Sequence, residues 1–220
     1  MSSEIVAMFE LTCGACGWRA PDGDYTACPA CGGAIEIIYP HPLVVDRARP
    51  GIWRYASRLP LRDQAHAVSL GEGDTPLLPA ARLGRELGLP NLHFKVEGAN
   101  PTGSYKDRIA AVGIARLREL GKGAWAATSS GNAGAAIAAY GARAEVPGHL
   151  FTLEKAAPAK IAQILAYGPT VRAVDRLGYD PAVEQATWRN IRALCAANNW
   201  LMLVTARTLS LHAMEGAKTI

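Results

Sequence analysis

Four cysteines stand in the first 31 residues as two C-x2-C pairs, Cys13–Cys16 and Cys28–Cys31, with eleven residues between the pairs. Each pair can turn two thiolates towards one point. Two such turns complete the tetrahedron that Zn²⁺ takes, at about 2.3 Å per sulfur. Gly14 lies within the first pair and Gly17 follows it, while Gly32 and Gly33 follow the second, permitting the tight backbone of such knuckles. Four protein ligands leave no position for water or substrate, so the expected ion is structural. It supplies the folding energy that so short a segment lacks. A disulfide pair or reactive thiols are the rival readings, and a start with no secretory pattern, which points to the cytoplasm, disfavours the disulfides. A nucleic-acid-binding ribbon is a further rival, and it fits poorly: residues 1–40 hold one base, Arg19, against five acids. The fifth cysteine, Cys195, lies in an Ala-rich helical pattern and reads as a small buried residue.

A second set of candidate groups lies in two glycine-bearing turns. In NPTGSYKDR, Asn100 to Arg108, Pro101 and Gly103 set a sharp turn, Ser104 is the expected N-cap, and Lys106 and Asp107 fall in the first helical turn. Helix starts favour anions, so a lysine there is unusual. The positive helix end and Arg108 favour its free amine, which can attack a carbonyl. A solvated surface lysine is the plain alternative. In TSSGNAG, Thr128 to Gly134, Gly131 and Gly134 let backbone approach a ligand, and free N–H groups after Ser129 make a cradle for a carboxylate or phosphate. A simple capping turn is the plain alternative here. Together the two turns place an amine and an anion cradle at the same edge of one sheet. That combination suits an enzyme that holds an aldehyde cofactor on lysine and grips an amino-acid carboxylate.

The elements that must position these turns follow from periodicity. Strands are expected at His93–Val96, Ala124–Thr128, His149–Leu153, Thr170–Val174 and Leu201–Val204. Helices are expected at Tyr105–Leu120, Asn132–Arg143, Pro158–Tyr167 and Pro181–Asn198. The alternation predicts an α/β fold, an open parallel sheet with flanking helices, preceded by the four-cysteine zinc ribbon. The expected divisions are the ribbon over 1–40, a linker and first part of a large domain over 41–91, and a small α/β domain over 92–220 that runs into the large one. Tyr39–Pro50 reads as linker, and GIWRYASRLP as the segment that docks it.

Composition bounds the rest. With 50% apolar and 19% charged residues the chain can bury a core, which excludes disorder as its main state. The longest weakly polar stretch, Ala133–Ala142, falls short of the roughly 20 residues of a membrane span. Beyond residue 40 there are 22 bases against 14 acids, so adjacent segments carry opposite charge and read as two modules with different jobs. The five histidines form no spaced cluster. Lys95 and Glu97, alternating along a strand, read as a structural pair, and Glu215 and Lys218 as a local i, i+3 pair.

The motifs LGEGDTPLL (Leu70–Leu78), EGANPTGSYKDR (Glu97–Arg108), SSGNAGAAIAAY (Ser129–Tyr140) and EGAKT (Glu215–Thr219), with GIWRYASRLP and the cysteine ribbon, resemble the threonine synthase family of fold-type-II pyridoxal-phosphate (PLP) enzymes. The likeness runs over nearly the whole chain. It implies that Lys106 carries PLP as a Schiff base and acts as general base, and that Asn132 contacts the cofactor. Ser129, Ser130, Gly131 and Asn132 would hold the carboxylate of a small amino-acid substrate. It also implies conversion of O-phosphohomoserine and water to threonine and phosphate, and leaves room for a homodimer. Nucleic acid and membrane are not expected partners.

Three departures stand out. Tyr105 and Ile109 replace the usual Phe and Gly around the lysine. Ala213 stands where an arginine for the substrate phosphate is expected, with Arg207 as a possible substitute. The glycine-rich loop for the PLP phosphate is not found in these 220 residues, so the expectation is an incomplete fold: a truncated reading of a longer product, or a remnant needing a partner chain. Two alternatives remain open at this stage: a related PLP enzyme acting by β-replacement or β-elimination, and a non-catalytic zinc-ribbon protein.

Overall fold

The computed structural model describes residues 8–207 and 209–220; the first seven residues of the expected ribbon and Thr208 lie outside the described residues. Strands β1 (Glu10–Cys13), β2 (Arg19–Ala20) and β3 (Ile35–Ile38) form an antiparallel sheet in the order β2-β1-β3. Leu11 pairs with Ile37 and Cys13 with Ile35, so one face buries apolar side chains around Phe9. Leu211, remote in sequence, completes that cluster. A ribbon this small cannot fill its own core, and it borrows from the main body.

No regular element lies between Tyr39 and Pro50 among the described residues. GIWRYASRLP docks as expected, as a 3-10 run over Gly51–Arg58 with Ile52 and Trp53 buried and the Trp53 indole N–H donating to the Val68 carbonyl at 3.2 Å. Here two backbones cross in contact. A Cβ on Gly51 would stand 2.0 Å from the Glu72 carbonyl oxygen, and Gly51 and Gly73 both have positive φ.

Strand β4 (Leu77–Pro79), helix α1 (Ala81–Leu87) and strand β5 (His93–Lys95) make a separate two-stranded antiparallel unit. Periodicity located only β5. A three-residue strand ending in proline and a seven-residue helix containing Gly84 carry too few periods to show. Beyond them run α2 (Lys106–Glu119), β6 (Ala124–Thr128), α3 (Asn132–Arg143), β7 (Gly148–Leu153), α4 (Pro158–Ala166), β8 (Thr170–Val174), α5 (Pro181–Asn198), β9 (Trp200–Met202) and the short α6 (Leu211–Met214). The last four strands of this series form a parallel sheet in the order β8-β7-β6-β9. The α/β fold with a parallel sheet is therefore the observed one.

The main core lies between α2, α3 and this sheet. Alanines along α3 let it approach α2 closely, and both helices are buried over most of their length. Trp125 on β6 fills the space that Gly141 and Gly148 leave; a Cβ at Gly148 would stand 1.9 Å from its ring. Arg116, 1% exposed on α2, pairs with Asp22 of the ribbon and Glu119 of its own helix, joining the two modules. No helix of the described residues is long and apolar enough to cross a membrane.

Gly148→Ala must displace the indole, so it is expected to lower stability by about 2–3 kcal/mol, read as a fall in the urea midpoint. A midpoint unchanged within error would contradict the packing described.

Candidate active site

Strand β5 leads through a 3-10 turn, Glu97–Ala99, into the bend that opens α2. Gly103 has φ 88°, a conformation that favours glycine. The bend is closed by Asp107, whose carboxylate accepts the Thr102 N–H at 3.0 Å and the Thr102 hydroxyl at 2.7 Å. Ser104, the expected N-cap, does not cap by that route: Tyr105 occupies the cap position, and the Ser104 hydroxyl only receives the Lys106 N–H at 3.3 Å. Asp107 reaches back to Thr102 and so fixes the bend before the helix rather than capping its first turn.

Lys106 is half-buried at the mouth of α2. Its Nζ donates to the Tyr105 hydroxyl at 2.7 Å and lies 4.3 Å from that ring's centroid. Arg108 does not act on the amine as its sequence position suggested. Its Nε and Nη2 donate to Glu97 at 2.8 Å each, and Nη1 donates to the Thr219 carbonyl, so its charge is neutralised on the other side of the helix. Glu97 is thereby held down to about 2, chiefly by the Arg108 hydrogen bonds. The expected Lys95–Glu97 pair is absent, because the Lys95 ammonium donates to the Thr75 carbonyl at 2.6 Å.

The second turn follows β6. The Ser129 N–H donates to the Phe151 carbonyl on β7, and its hydroxyl accepts the N–H groups of Gly131 at 3.2 Å and Gly134 at 2.9 Å. Ser129 therefore shapes the cradle by capping. The N–H groups of Ser130, Asn132 and Ala133 have no partner among the described residues. Nothing lies within 4 Å of where a Cβ on Gly131 would stand, and the Asn132 side chain is exposed. Free donors beside open space suit an anion.

The two turns do not share a sheet, contrary to the sequence expectation. β5 pairs with β4, whereas β6 belongs to the parallel sheet. Helix α4 brings them together instead. Gln163 donates to the Thr102 carbonyl of the first turn at 3.4 Å, and its neighbour Ile164 packs where a Cβ on Gly134 of the second would meet it at 3.2 Å.

The predicted substrate-phosphate arginine has no room. Ala213 is buried, and its Cβ would be 3.0 Å from one on Gly113 of α2. Arg207 cannot substitute from where it stands, lining a cavity of about 110 Å³ with Tyr25, Glu36 and Leu211 beside the ribbon. Glu72 and Tyr140, both fully buried behind α2, were not singled out by sequence reasoning. Glu72 lay in a motif read only as a family mark, and Tyr140 in an alanine run.

In the ribbon, the four cysteine sulfurs lie within 4.8 Å of one another, with Cys13–Cys31 at 3.5 Å and Cys16–Cys28 at 3.8 Å. A tetrahedron with bonds of about 2.3 Å has edges near 3.8 Å, so the sulfurs fit zinc. The two knuckles match in form. Gly17 donates to the Cys13 carbonyl and Gly32 to the Cys28 carbonyl, each glycine with φ above 70°. Gly33 has no room for a side chain, since a Cβ would meet Ala15 at 2.9 Å and the Cys13 sulfur at 3.1 Å. Cys195 is half-buried, and burial pushes its thiol up to about 11.

Residues 68–220 match the family model for pyridoxal-phosphate dependent enzymes. The chain belongs to that family. It is 35% identical over 222 residues to threonine synthase of Methanosarcina acetivorans, covering 97% of this chain and 52% of the relative. It is 37% identical to threonine synthase of Methanocaldococcus jannaschii, covering 86% of this chain and 47% of the relative. The chain thus spans about half the length of these curated relatives. Among solved structures it is similar in fold to diaminopropionate ammonia lyase from Escherichia coli in complex with D-serine, with a TM-score of 0.57 at 18% identity over 69% of this chain and 44% of that one.

The Glu97–Arg108 pair has a pH signature. The folded-state carboxyl is depressed, so its contribution is present above about pH 4.5 and is lost as pH falls towards 2. Glu97→Gln is expected to flatten the acid limb of the stability curve in that window, measured by urea unfolding at each pH. An acid limb identical to that of the parent chain would refute the pairing.

Proposed function

We propose that this chain carries the lysine half of a threonine-synthase-type active site, with Lys106 binding PLP covalently through its Nζ. What supports the reading is that one short helix, α4, holds together an amine at a helix mouth and a turn with three free N–H groups beside open space. These residues fit the cofactor and an amino acid: an amine for an aldehyde, and oriented N–H groups for a carboxylate. When bound, PLP supplies an electron-accepting ring conjugated to the substrate's amino group.

The chain's residues then have definite tasks. The N–H groups of Ser130 and Asn132, with Gly131 leaving space, orient the substrate carboxylate, and Ser129 keeps the turn in shape. Asn132 contributes its amide beside the cofactor. The Lys106 amine would serve as the base for the proton on the substrate's α-carbon. The net reaction is O-phosphohomoserine and water to threonine and phosphate. The same reading assigns residues 1–40 to a ribbon holding a structural Zn²⁺ on Cys13, Cys16, Cys28 and Cys31. It assigns 41–91 to a linker and the start of a large domain, and 92–220 to the small domain.

Incubation with PLP followed by borohydride should attach the cofactor at Lys106, located by peptide mass mapping, and Lys106→Ala should abolish the adduct. A reduced adduct that survives that substitution sinks the assignment. Purified chain should hold one zinc ion, and Cys28→Ser should release it and unfold the ribbon, seen as loss of metal and of chemical-shift dispersion in the ribbon's amides. Full retention of zinc by that variant would contradict the ligand set.

A further inference from the structure

The ribbon holds α2 directly through Arg116, and it reaches the amine's end of that helix by a second route. Phe9 immediately precedes β1 and Tyr39 immediately follows β3. The two strands pair antiparallel with Glu10 opposite Ile38, so Phe9 and Tyr39 stand side by side, ring centroids 6.5 Å apart. At the other end of the same ladder Cys13 faces Ile35. One short ladder thus carries a cysteine of the cluster at one end and two aromatic rings at the other.

Those rings meet the segment that follows β9. Phe9 packs edge-on against His212 of α6, with centroids 5.9 Å apart, and Leu211 lies in the ribbon's own apolar cluster. Past α6, in the 3-10 turn Glu215–Thr219, Glu215 Oε2 accepts the Tyr39 hydroxyl at 2.9 Å, and the Lys218 ammonium lies 4.0 Å from the Tyr39 ring centroid. The other side of this segment holds the first turn of α2. Gly216 packs so close that a Cβ would stand 2.1 Å from the Arg108 carbonyl oxygen. Thr219 accepts Arg108 Nη1 on its carbonyl at 2.8 Å and on its hydroxyl at 3.1 Å. Residues 211–219 are therefore a strap between the ribbon and the turn that bears Lys106. A metal on the cysteines fixes Cys13 and the ladder; without it so small a core cannot keep its shape, and buried Leu211 and His212 lose the surface they pack on.

We propose that Tyr39 is a positioning residue through which the ribbon sets the turn bearing Lys106, so that zinc on the cysteines and PLP on the lysine strengthen each other's binding. The proposal rests on the readings of Lys106 as the cofactor lysine and of the ribbon as a zinc site. Coupling between two sites is reciprocal, so each ligand raises the other's association constant by the same factor.

The test compares the full chain with zinc present and after its removal by EDTA. Without zinc, amide hydrogen exchange over residues 211–219 should quicken roughly tenfold while β8 is unchanged. The association constant for PLP, read from the absorbance of the covalent lysine adduct, should fall about tenfold. PLP should raise the zinc association constant by the same factor, read against a competing chromophoric chelator. Tyr39→Phe keeps the ring and all four cysteines, so it should retain zinc while exchange over 215–219 quickens and PLP association weakens. A merely structural ribbon would lower the unfolding temperature on losing zinc and leave both the strap's exchange and the PLP constant alone; that result overturns the proposal. If the chain without zinc does not stay folded, Tyr39→Phe decides, and unchanged exchange over 215–219 with an unchanged PLP constant overturns it. Absence of any borohydride label on Lys106 in the zinc-loaded parent would refute the cofactor reading instead, and exchange over 211–219 would still decide whether the ribbon holds the strap.

Discussion

Arg108 is 2% exposed and carries a full charge into the body of the protein. A guanidinium buried without a partner costs several kcal/mol, so the chain must deliver a carboxylate to that spot before α2 can pack. Glu97 is that carboxylate, held in two-pronged contact with Arg108 and by the Asn100 amide at 2.9 Å. The Asn100 side-chain oxygen, Oδ1, in turn receives the Gly73 N–H at 3.0 Å. Everything from residue 97 to residue 108 is therefore enclosed between the two ends of one ion pair, and Lys106 lies within that loop. The lysine's place is set by a charge that it never touches.

This arrangement explains which parts of the fold could be read from sequence. β6, α3, β8 and α5 stand at the expected residues because their signals are local. Asp180 accepts the N–H groups of Ala182 and Val183, Pro181 opens α5, and Asn199 ends it in a left-handed conformation. Of the two-stranded unit only β5 was legible: β4, three residues ending in proline, is too short to announce itself, and the pairing of the two strands across α1 is not a local signal. The direction of Arg108 was illegible for a related reason. A sequence shows that a cation follows Lys106, but only the fold shows that the cation turns towards Glu97. Spacing placed Lys95 and Glu97 on one strand; burial of Arg108 took Glu97 away from that pairing. The two chemical turns were found by their residues and misplaced in topology, since strand edges cannot reveal that a third element, α4, does the joining.

The opposite charges of the first 40 residues and the remainder have a structural use. Asp22 of the ribbon meets both Arg116 and Arg62, and the Phe9 ring has the Arg62 guanidinium 4.3 Å and the Arg116 guanidinium 5.5 Å from its centroid. Complementary charge sets orientation and register between surfaces, and the apolar contact around Leu211 supplies the burial. Acidity in the ribbon serves docking to the protein's own helix.

Helix α2 is thus fixed at two places. Ten residues separate Lys106 from Arg116, about 15 Å along the axis, so the ribbon grips the helix well away from the amine. At the amine's end, the segment after α6 closes in. Gly216 lies so near the Arg108 carbonyl that a Cβ would come within 2.1 Å of it, and Glu215 accepts a hydrogen bond from Tyr39 at 2.9 Å. The GEGDTP and EGAKT motifs, some 140 residues apart, meet at Arg108 of this helix, which donates to the Thr75 hydroxyl at 3.4 Å and to the Thr219 carbonyl at 2.8 Å. Each is needed there for close backbone approach and for buried hydrogen bonds. Their joint presence with a lysine in this turn follows from packing: a helix mouth that must hold an amine in a fixed place cannot be left to local propensity, because a solvated first turn frays within the thermal energy available.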